Sequence, residues 1–296
     1  MMAFEWPMQV ENCAICGENN VHKISKKGQF GEIVNVVLCK NDGFVYLSPR
    51  WNQEGYDNYY GQKYSSIFPQ FDNQEEVIEE PYKLVVKRIN LYFKNTPLNA
   101  LSIGAGKGCV LRLLEKENEN LDCYVIEPSE ECRNYLFENF GYSILSDSIN
   151  SEWQKGNEKK FDIIIVRHVL EHLLDPLNSL KKVRETLTHS GVAYIAVPDM
   201  MSPKGSLRRY YFRAPHVSYF SKPTLSYFLN KSGLEIIEVR EEEGELWCLV
   251  KRGIVDSTKN MNIDNFSKQL HVIKKYKKTQ RIPELKSFVA RLIGRE

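Results

Sequence analysis

No apolar run in these 296 residues approaches the roughly 18 that a membrane-spanning helix needs, which excludes a helical membrane protein. The first ten residues lack the basic and apolar regions of a secretory signal, so none is expected. Cysteine is scarce and odd in number, at seven, which predicts a reducing cytoplasm rather than a disulfide framework. There is no internal repeat and no low-complexity segment. A dominant charge is missing too, since the net charge is only +2. That small total hides an imbalance: residues 258–296 carry ten basic and three acidic side chains, so the basic character belongs to the tail.

What is present describes an ordinary globular protein, 42% hydrophobic and 26% charged. Its length predicts about two domains. The most informative stretch is Asn99-Ala100-Leu101-Ser102-Ile103-Gly104-Ala105-Gly106-Lys107-Gly108, followed by Cys109-Val110-Leu111-Arg112-Leu113-Leu114. This pattern predicts strand, tight turn and helix. Glycines let the backbone turn and approach a ligand closely. The helix start beyond them aims free N–H groups at an anionic partner. The stretch therefore reads as the floor of a nucleotide-type cofactor site.

Downstream, strands alternate with helices, which implies a mainly parallel sheet covered on both faces. Asp122-Cys123-Tyr124-Val125-Ile126-Glu127 is a second strand ending in a carboxylate, and in such a unit Glu127 can accept both ribose hydroxyls. Ser129 caps a helix, a short strand precedes Ser146-Asp147-Ser148, and Phe161-Asp162-Ile163-Ile164-Ile165-Val166 reads as a central strand buried on both faces. Arg167-His168-Val169-Leu170-Glu171-His172 leaves that strand, and a helix from Pro176 leads to a fifth strand starting at Gly191. Residues 199–221 form a long loop rich in basic and aromatic side chains, including Arg208, Arg209, Arg213 and His216; a loop of that length is usually functional. Two strands joined by Glu243-Gly244-Glu245 close the unit, and a helical tail follows with Phe266, Leu270 and Ile273 on one face. Its lysine run (Lys274, Lys275, Lys277, Lys278) is either a solvated face or a contact for something anionic.

Before the glycine stretch, Cys13-Ala14-Ile15-Cys16-Gly17 is followed 22 residues later by Cys39-Lys40-Asn41-Asp42-Gly43. Thiolates at i and i+3 converge on one tetrahedral ion, so Cys13, Cys16 and Cys39 are candidate zinc ligands. Asp42 stands where a fourth cysteine is expected and can itself ligate zinc, with His22 as a second candidate. A reduced, metal-free hairpin is the other reading. The aromatic stretch that follows (Trp51, Tyr56, Tyr59, Tyr60, Tyr64) lacks clear periodicity, which predicts irregular structure, either surface packing or a lid. Residues 75–94 suggest a helix that Pro81 divides.

The ordered motifs 101–108, Glu127-Pro128-Ser129, Ser146-Asp147, His168-Val169-Leu170-Glu171-His172, Asp175-Pro176, Ser190-Gly191 and Pro198 resemble those of class I S-adenosylmethionine-dependent methyltransferases. The resemblance covers roughly residues 98–252. Pro215-His216-Val217-Ser218-Tyr219-Phe220-Ser221 is similar to the stretch before the last helix in sugar- and small-molecule-modifying members. The N-terminal cysteines with Gly43-Phe44-Val45-Tyr46-Leu47-Ser48-Pro49 resemble the zinc-binding lead-in of sugar methyltransferases, nearest in pattern to nucleotide-sugar C-methyltransferases. Two departures stand out. Ser102 occupies the place of an Asp or Glu that helps position the methionine end, and a short helical tail replaces a further C-terminal domain. The second departure leaves O- and N-methylation open beside C-methylation.

The resemblance implies a Rossmann-like α/β fold with a small N-terminal zinc-ribbon-like unit (1–50), a lid and leading helix (51–97), a cofactor-binding domain (98–254) and a basic helical tail (255–296). It implies S-adenosylmethionine as cofactor, held by Gly104, Ala105, Gly106, Gly108, Glu127, Pro128, Asp147, Ser148 and His168, with zinc on Cys13, Cys16, Cys39 and Asp42. His168 and His216 are the candidate bases, since an imidazole titrates near working pH. Each has a plain alternative, as pocket wall and loop anchor respectively. The expected partner is a small-molecule acceptor, a sugar or nucleotide-sugar, and Arg208, Arg209 and Arg213 suit an anionic one. A dinucleotide-dependent oxidoreductase is a competing reading, although its fingerprint would put a glycine where Cys109 stands. A zinc-ribbon module binding nucleic acid is another.

Overall fold

The computed structural model describes residues 6–62, 80–92, 99–254 and 265–292. Tyr64, Val77, Ile78, Phe93 and Pro97 lie outside these residues, as does the segment between the sheet and the tail helix.

The N-terminal strands are β1 (Met8–Gln9), β2 (Val21–Lys27), β3 (Ile33–Cys39), β4 (Val45–Leu47) and β5 (Arg50–Trp51). Helix α1 (Gln53–Gln62) follows, in the stretch whose aromatics predicted irregular structure. The helix starts because the Asn52 side chain accepts the Gly55 N–H at 2.9 Å, an N-cap interaction. It is held by tertiary packing, with Tyr56 and Tyr59 buried against Trp51. In helix α2 (Glu80–Tyr92) Pro81 sits in the first turn, where its missing N–H costs nothing.

The main sheet contains β6 (Asn99–Ile103), β7 (Asp122–Ile126), β8 (Ser143–Ser146), β9 (Phe161–Arg167), β10 (Leu187–Pro198), β12 (Leu234–Glu242) and β13 (Glu245–Arg252). Their spatial order is β12-β13-β10-β9-β6-β7-β8. The run from β10 through β9, β6 and β7 to β8 is parallel, and β13 pairs antiparallel with both of its neighbours. Helices α3 (Cys109–Glu117), α4 (Glu130–Phe140), α5 (Pro176–Thr186) and α6 (Lys222–Lys231) connect the strands. Ser129 and Asp175 cap α4 and α5 through their side chains. Strands β6 and β9 are largely buried on both faces, as the nearly continuous apolar run of β9 predicts. The chain leaves β6 toward β7 on one side and returns to β9 on the other. That switch point, at the carboxyl ends of the strands, is where open sheets of this kind form a crevice.

The first fifty residues, expected as a separate small unit, share both a sheet and a core with the rest. Strand β11 (Ser218–Tyr219) pairs with β4, giving the order β11-β4-β3-β2. Phe44 packs on Phe220 and Phe228 in one continuous core. The tail forms helix α7 (Phe266–Leu292). Ile273 is buried against the N-terminal sheet, with Phe266 and Leu270 beside it, while Lys274, Lys275 and Lys278 are exposed.

Candidate functional site: a glycine cradle beside a histidine cleft

Gly104, Gly106 and Gly108 all adopt left-handed φ, at 65°, 54° and 69°. A Cβ on Gly104 would meet Val169 Cγ2 at 2.4 Å, and one on Gly108 would meet Leu136 Cδ2 at 2.6 Å. Both conformation and space therefore require glycine. Gly108 is also the residue before α3, so the cradle opens onto that helix's free N–H groups.

Glu127 lies at the end of β7 and is 6% exposed. Its Oε2 accepts the Gly106 N–H and its Oε1 the Ser129 N–H, each at 2.8 Å. Burial raises its pKa against the pull of those two donors. One carboxylate thus fixes the glycine turn and the start of α4. Pro128 sits between them, with its carbonyl accepting from Arg133 at 2.8 Å. Asp147 is exposed just beyond β8, and the Ser148 backbone is held by the Ser146 hydroxyl at 3.0 Å. These residues line the carboxyl ends of β6, β7 and β8 in succession. Ser102 is a buried residue of β6 one strand position before Ile103.

The next residue before Val169 is His168, which leaves β9 with a left-handed φ of 55°, uncommon for a non-glycine residue. It borders a cleft of about 340 Å³ lined by Glu171, His172, Arg213 and His216 among others. His168 Nε2 lies 2.9 Å from Glu245 and Nδ1 3.5 Å from Glu171. Burial alone would push this imidazole down, but the hydrogen bonds to Glu171 and Glu245 win and lift its pKa to about 9. The raised value favours the protonated ring, which suits His168 better as a wall of the cleft than as the candidate base.

His216 differs. It is buried, its ring stands perpendicular to that of His172 at 4.7 Å, and burial holds its pKa well below the ordinary value. Burial likewise lowers His172, against the field of Glu171. Both shifts favour the neutral ring. Of the three loop arginines, Arg213 lines the cleft, its Nε anchored on the Tyr210 carbonyl at 2.8 Å. Arg208 and Arg209 are exposed on a helical turn and are not among the lining residues.

Sequence reading missed Glu245. It was read only as part of the connection between two strands, yet β13 pairs it with Pro198 and brings it to Arg167 at 2.9 Å as well as to His168. Nothing in its local sequence signals this. Glu171 was visible only as a motif letter.

Far from the cleft in sequence, Cys13, Cys16, Cys39 and Asp42 present ligand atoms within 4.8 Å of one another. Cys13 Sγ donates to Asp42 Oδ2 at 3.1 Å, and Cys16 and Cys39 sulfurs are 3.6 Å apart. Asp42 Oδ1 accepts the Phe44 N–H at 2.8 Å, which orients Oδ2 toward the sulfurs. The neighbouring Cys13 draws the Cys39 thiol down to about 7. Three sulfurs and one carboxylate oxygen are a donor set that fits tetrahedral zinc. His22 is not in this cluster; its ring faces Phe266.

A family model described as a methyltransferase domain matches residues 74–239. Among solved structures, the chain is similar to a protein from Pyrococcus horikoshii OT3 at 16% identity, covering 64% of this chain and 99% of that one with a TM-score of 0.51. It is also similar to the 1,6-didemethyltoxoflavin-N1-methyltransferase of Burkholderia thailandensis, solved with 1,6-didemethyltoxoflavin and S-adenosylhomocysteine, at 14% identity, 80% and 100% coverage and a TM-score of 0.50. These identities establish the fold alone. No curated protein matches the chain. The oxidoreductase and nucleic-acid-binding alternatives gain no support from any of these likenesses. The family match takes in more than half of the chain, including every parallel strand from β6 to β10, and makes it a member of the methyltransferase domain family.

Proposed function

We propose that the chain transfers the methyl group of S-adenosylmethionine to a small molecule held in the histidine cleft. One observation carries this reading: the glycine cradle and Glu127 lie at the switch point of the sheet, and Gly104 packs on the residue next to His168, which lines the cleft. The cofactor's methionine end lies against Gly104, Ala105 and Gly106, its ribose on Glu127, and its adenine near Asp147 and Ser148, with Gly108 and Pro128 shaping the turns. The Burkholderia neighbour was solved with S-adenosylhomocysteine, and the same class of cofactor is proposed for this chain. Methyl transfer needs a nucleophile held in line with the carbon–sulfur bond and shielded from water. His216, an imidazole on the cleft wall, stands on the acceptor's side of the site and serves the acceptor's reacting atom.

The acceptor is a sugar or nucleotide-sugar. The N-terminal cysteine pattern and its resemblance to sugar methyltransferases support this, and Arg213 and Lys204 on the cleft suit an anionic portion. Cys13, Cys16, Cys39 and Asp42 hold one zinc ion, which would clamp the turn after β3 to the start of the chain. Elemental analysis of the purified protein should give at least one zinc per chain; none at all would reject the knuckle. Glu127→Ala should weaken S-adenosylmethionine binding at least tenfold in calorimetry while leaving a folded protein, and unchanged affinity would remove Glu127 from the cofactor site.

A further inference from the structure

The cleft wall carries a second group of side chains with the chemistry of a metal site. Glu171, His172 and His216 each offer one ligand atom, and these atoms lie within 4.8 Å of one another. Glu171 and His172 belong to a helical turn, Leu170–His172, and His216 to the segment leading into β11, so the fold brings them together from separate stretches.

Two features set the group apart from a chance cluster. Glu171 is only 2% exposed, yet among the described residues its Oε2 has no hydrogen-bond partner. Its Oε1 takes the ion-pair contacts, at 3.5 Å from His168 and 3.9 Å from His172. A buried carboxylate oxygen left without a donor is costly, and native structures rarely leave one without a reason. His172 is also oriented for ligation. Its Nδ1 lies 3.0 Å from the Pro215 carbonyl and 2.9 Å from the Tyr60 hydroxyl. A carbonyl only accepts, so the ring proton sits on Nδ1. That leaves the lone pair on Nε2, the atom facing Glu171. A ligating histidine whose other nitrogen is fixed by a backbone carbonyl is the usual outer-shell arrangement of metal sites.

We propose that Glu171, His172 and His216 bind one divalent transition-metal ion whose open position faces the acceptor. Two imidazoles and one carboxylate suit zinc, cobalt or nickel better than magnesium or calcium, which prefer oxygen-only shells. Three protein ligands with a fourth position open to a cleft is the arrangement of zinc sites that handle substrate. Ligand atoms around tetrahedral zinc are about 3.4 Å apart at bonds of about 2.1 Å, so closure takes side-chain movements of about 1 Å.

The inference rests on the methyl-transfer reading for its consequence. The ion would take the acceptor's hydroxyl oxygen and lower its pKa. The O–H bond breaks and its proton leaves to solvent. The oxygen then forms a bond to the methyl carbon as the carbon–sulfur bond breaks, its electron pair staying on sulfur. His216 thus acts on the acceptor through the ion.

Cobalt(II) titration of the full-length, metal-stripped protein tests this. Binding at the cysteine cluster gives sulfur-to-cobalt charge-transfer absorption, whereas the Glu171–His172–His216 site gives ligand-field bands alone. The wild type should take up an equivalent of cobalt that adds only ligand-field absorption, and His216→Ala and the isosteric Glu171→Gln should each weaken that equivalent at least tenfold. The thiolate signature, unchanged in both variants, reports that they fold. Wild-type protein with no such equivalent, or either folded variant keeping it, overturns the proposal. S-adenosylmethionine binding, measured separately by calorimetry, reports on the methyl-transfer reading, so either idea can fail alone.

Discussion

At Gly104 a left-handed φ acts together with crowding, since an added Cβ would lie 2.4 Å from Val169 Cγ2 and would have to displace the residue beside the cleft. Gly104→Ala should cost about 1–3 kcal/mol of stability in denaturant unfolding and weaken cofactor binding at least tenfold; a variant as stable and as tight as wild type would contradict the close approach. Asp199 behaves in an unrelated way. Burial lifts its pKa from 3.8 to about 6. Because the folded-state value is the higher one, its contribution is most favourable below about pH 4 and is lost as pH rises through 6. A shift of about two pH units corresponds to roughly 3 kcal/mol. Asn in its place keeps an acceptor for the Met201 N–H, which Asp199 now binds at 2.8 Å. Asp199→Asn should therefore stabilise the protein by up to about 3 kcal/mol at pH 8 and hardly at all at pH 4, as read by urea unfolding at both values. Glu127 could be found by its distance from the glycines and by the strand it ends. Glu245 could not, because only the β10–β13 register carries it to His168.

Among the elements, the parallel strands were the most legible, since burial on both faces leaves a nearly continuous apolar run such as that of β9. Helix α1 was not legible. Its apolar surface consists of tyrosines that pack on Trp51, and its main local signal, the Asn52 cap, is a single residue. In α7 the expected apolar face is present and covered, with Lys274, Lys275 and Lys278 exposed beside it and Lys277 donating to the Ile24 carbonyl. Ile273→Ala should lose about 2–4 kcal/mol in thermal or chemical unfolding, whereas Lys274→Glu with Lys275→Glu should change stability by less than about 0.5 kcal/mol. A large effect from the lysine pair would mean that the exposed face has a fixed partner.

Taken whole, the molecule is less divided than its sequence suggests. A cysteine-bearing hairpin followed by a nucleotide-type unit reads as two domains, because pairing between residues 45–46 and 218–219 leaves no trace in local pattern. The shared core around Phe44, Phe220 and Phe228 predicts one unfolding transition for both parts. Phe44→Ala should lower the stability of that single transition by about 3–5 kcal/mol, and two separate transitions in calorimetry would show that the N-terminal sheet folds independently. The same interlock gives the cleft its walls, for His216 lies two residues before β11 and Tyr60 reaches His172 from α1. The central claim is that the glycine cradle holds S-adenosylmethionine, and isothermal titration of the wild-type chain tests it most directly. The account predicts saturable binding of S-adenosylmethionine at one site per chain and no binding of NAD; binding of NAD alone would contradict it.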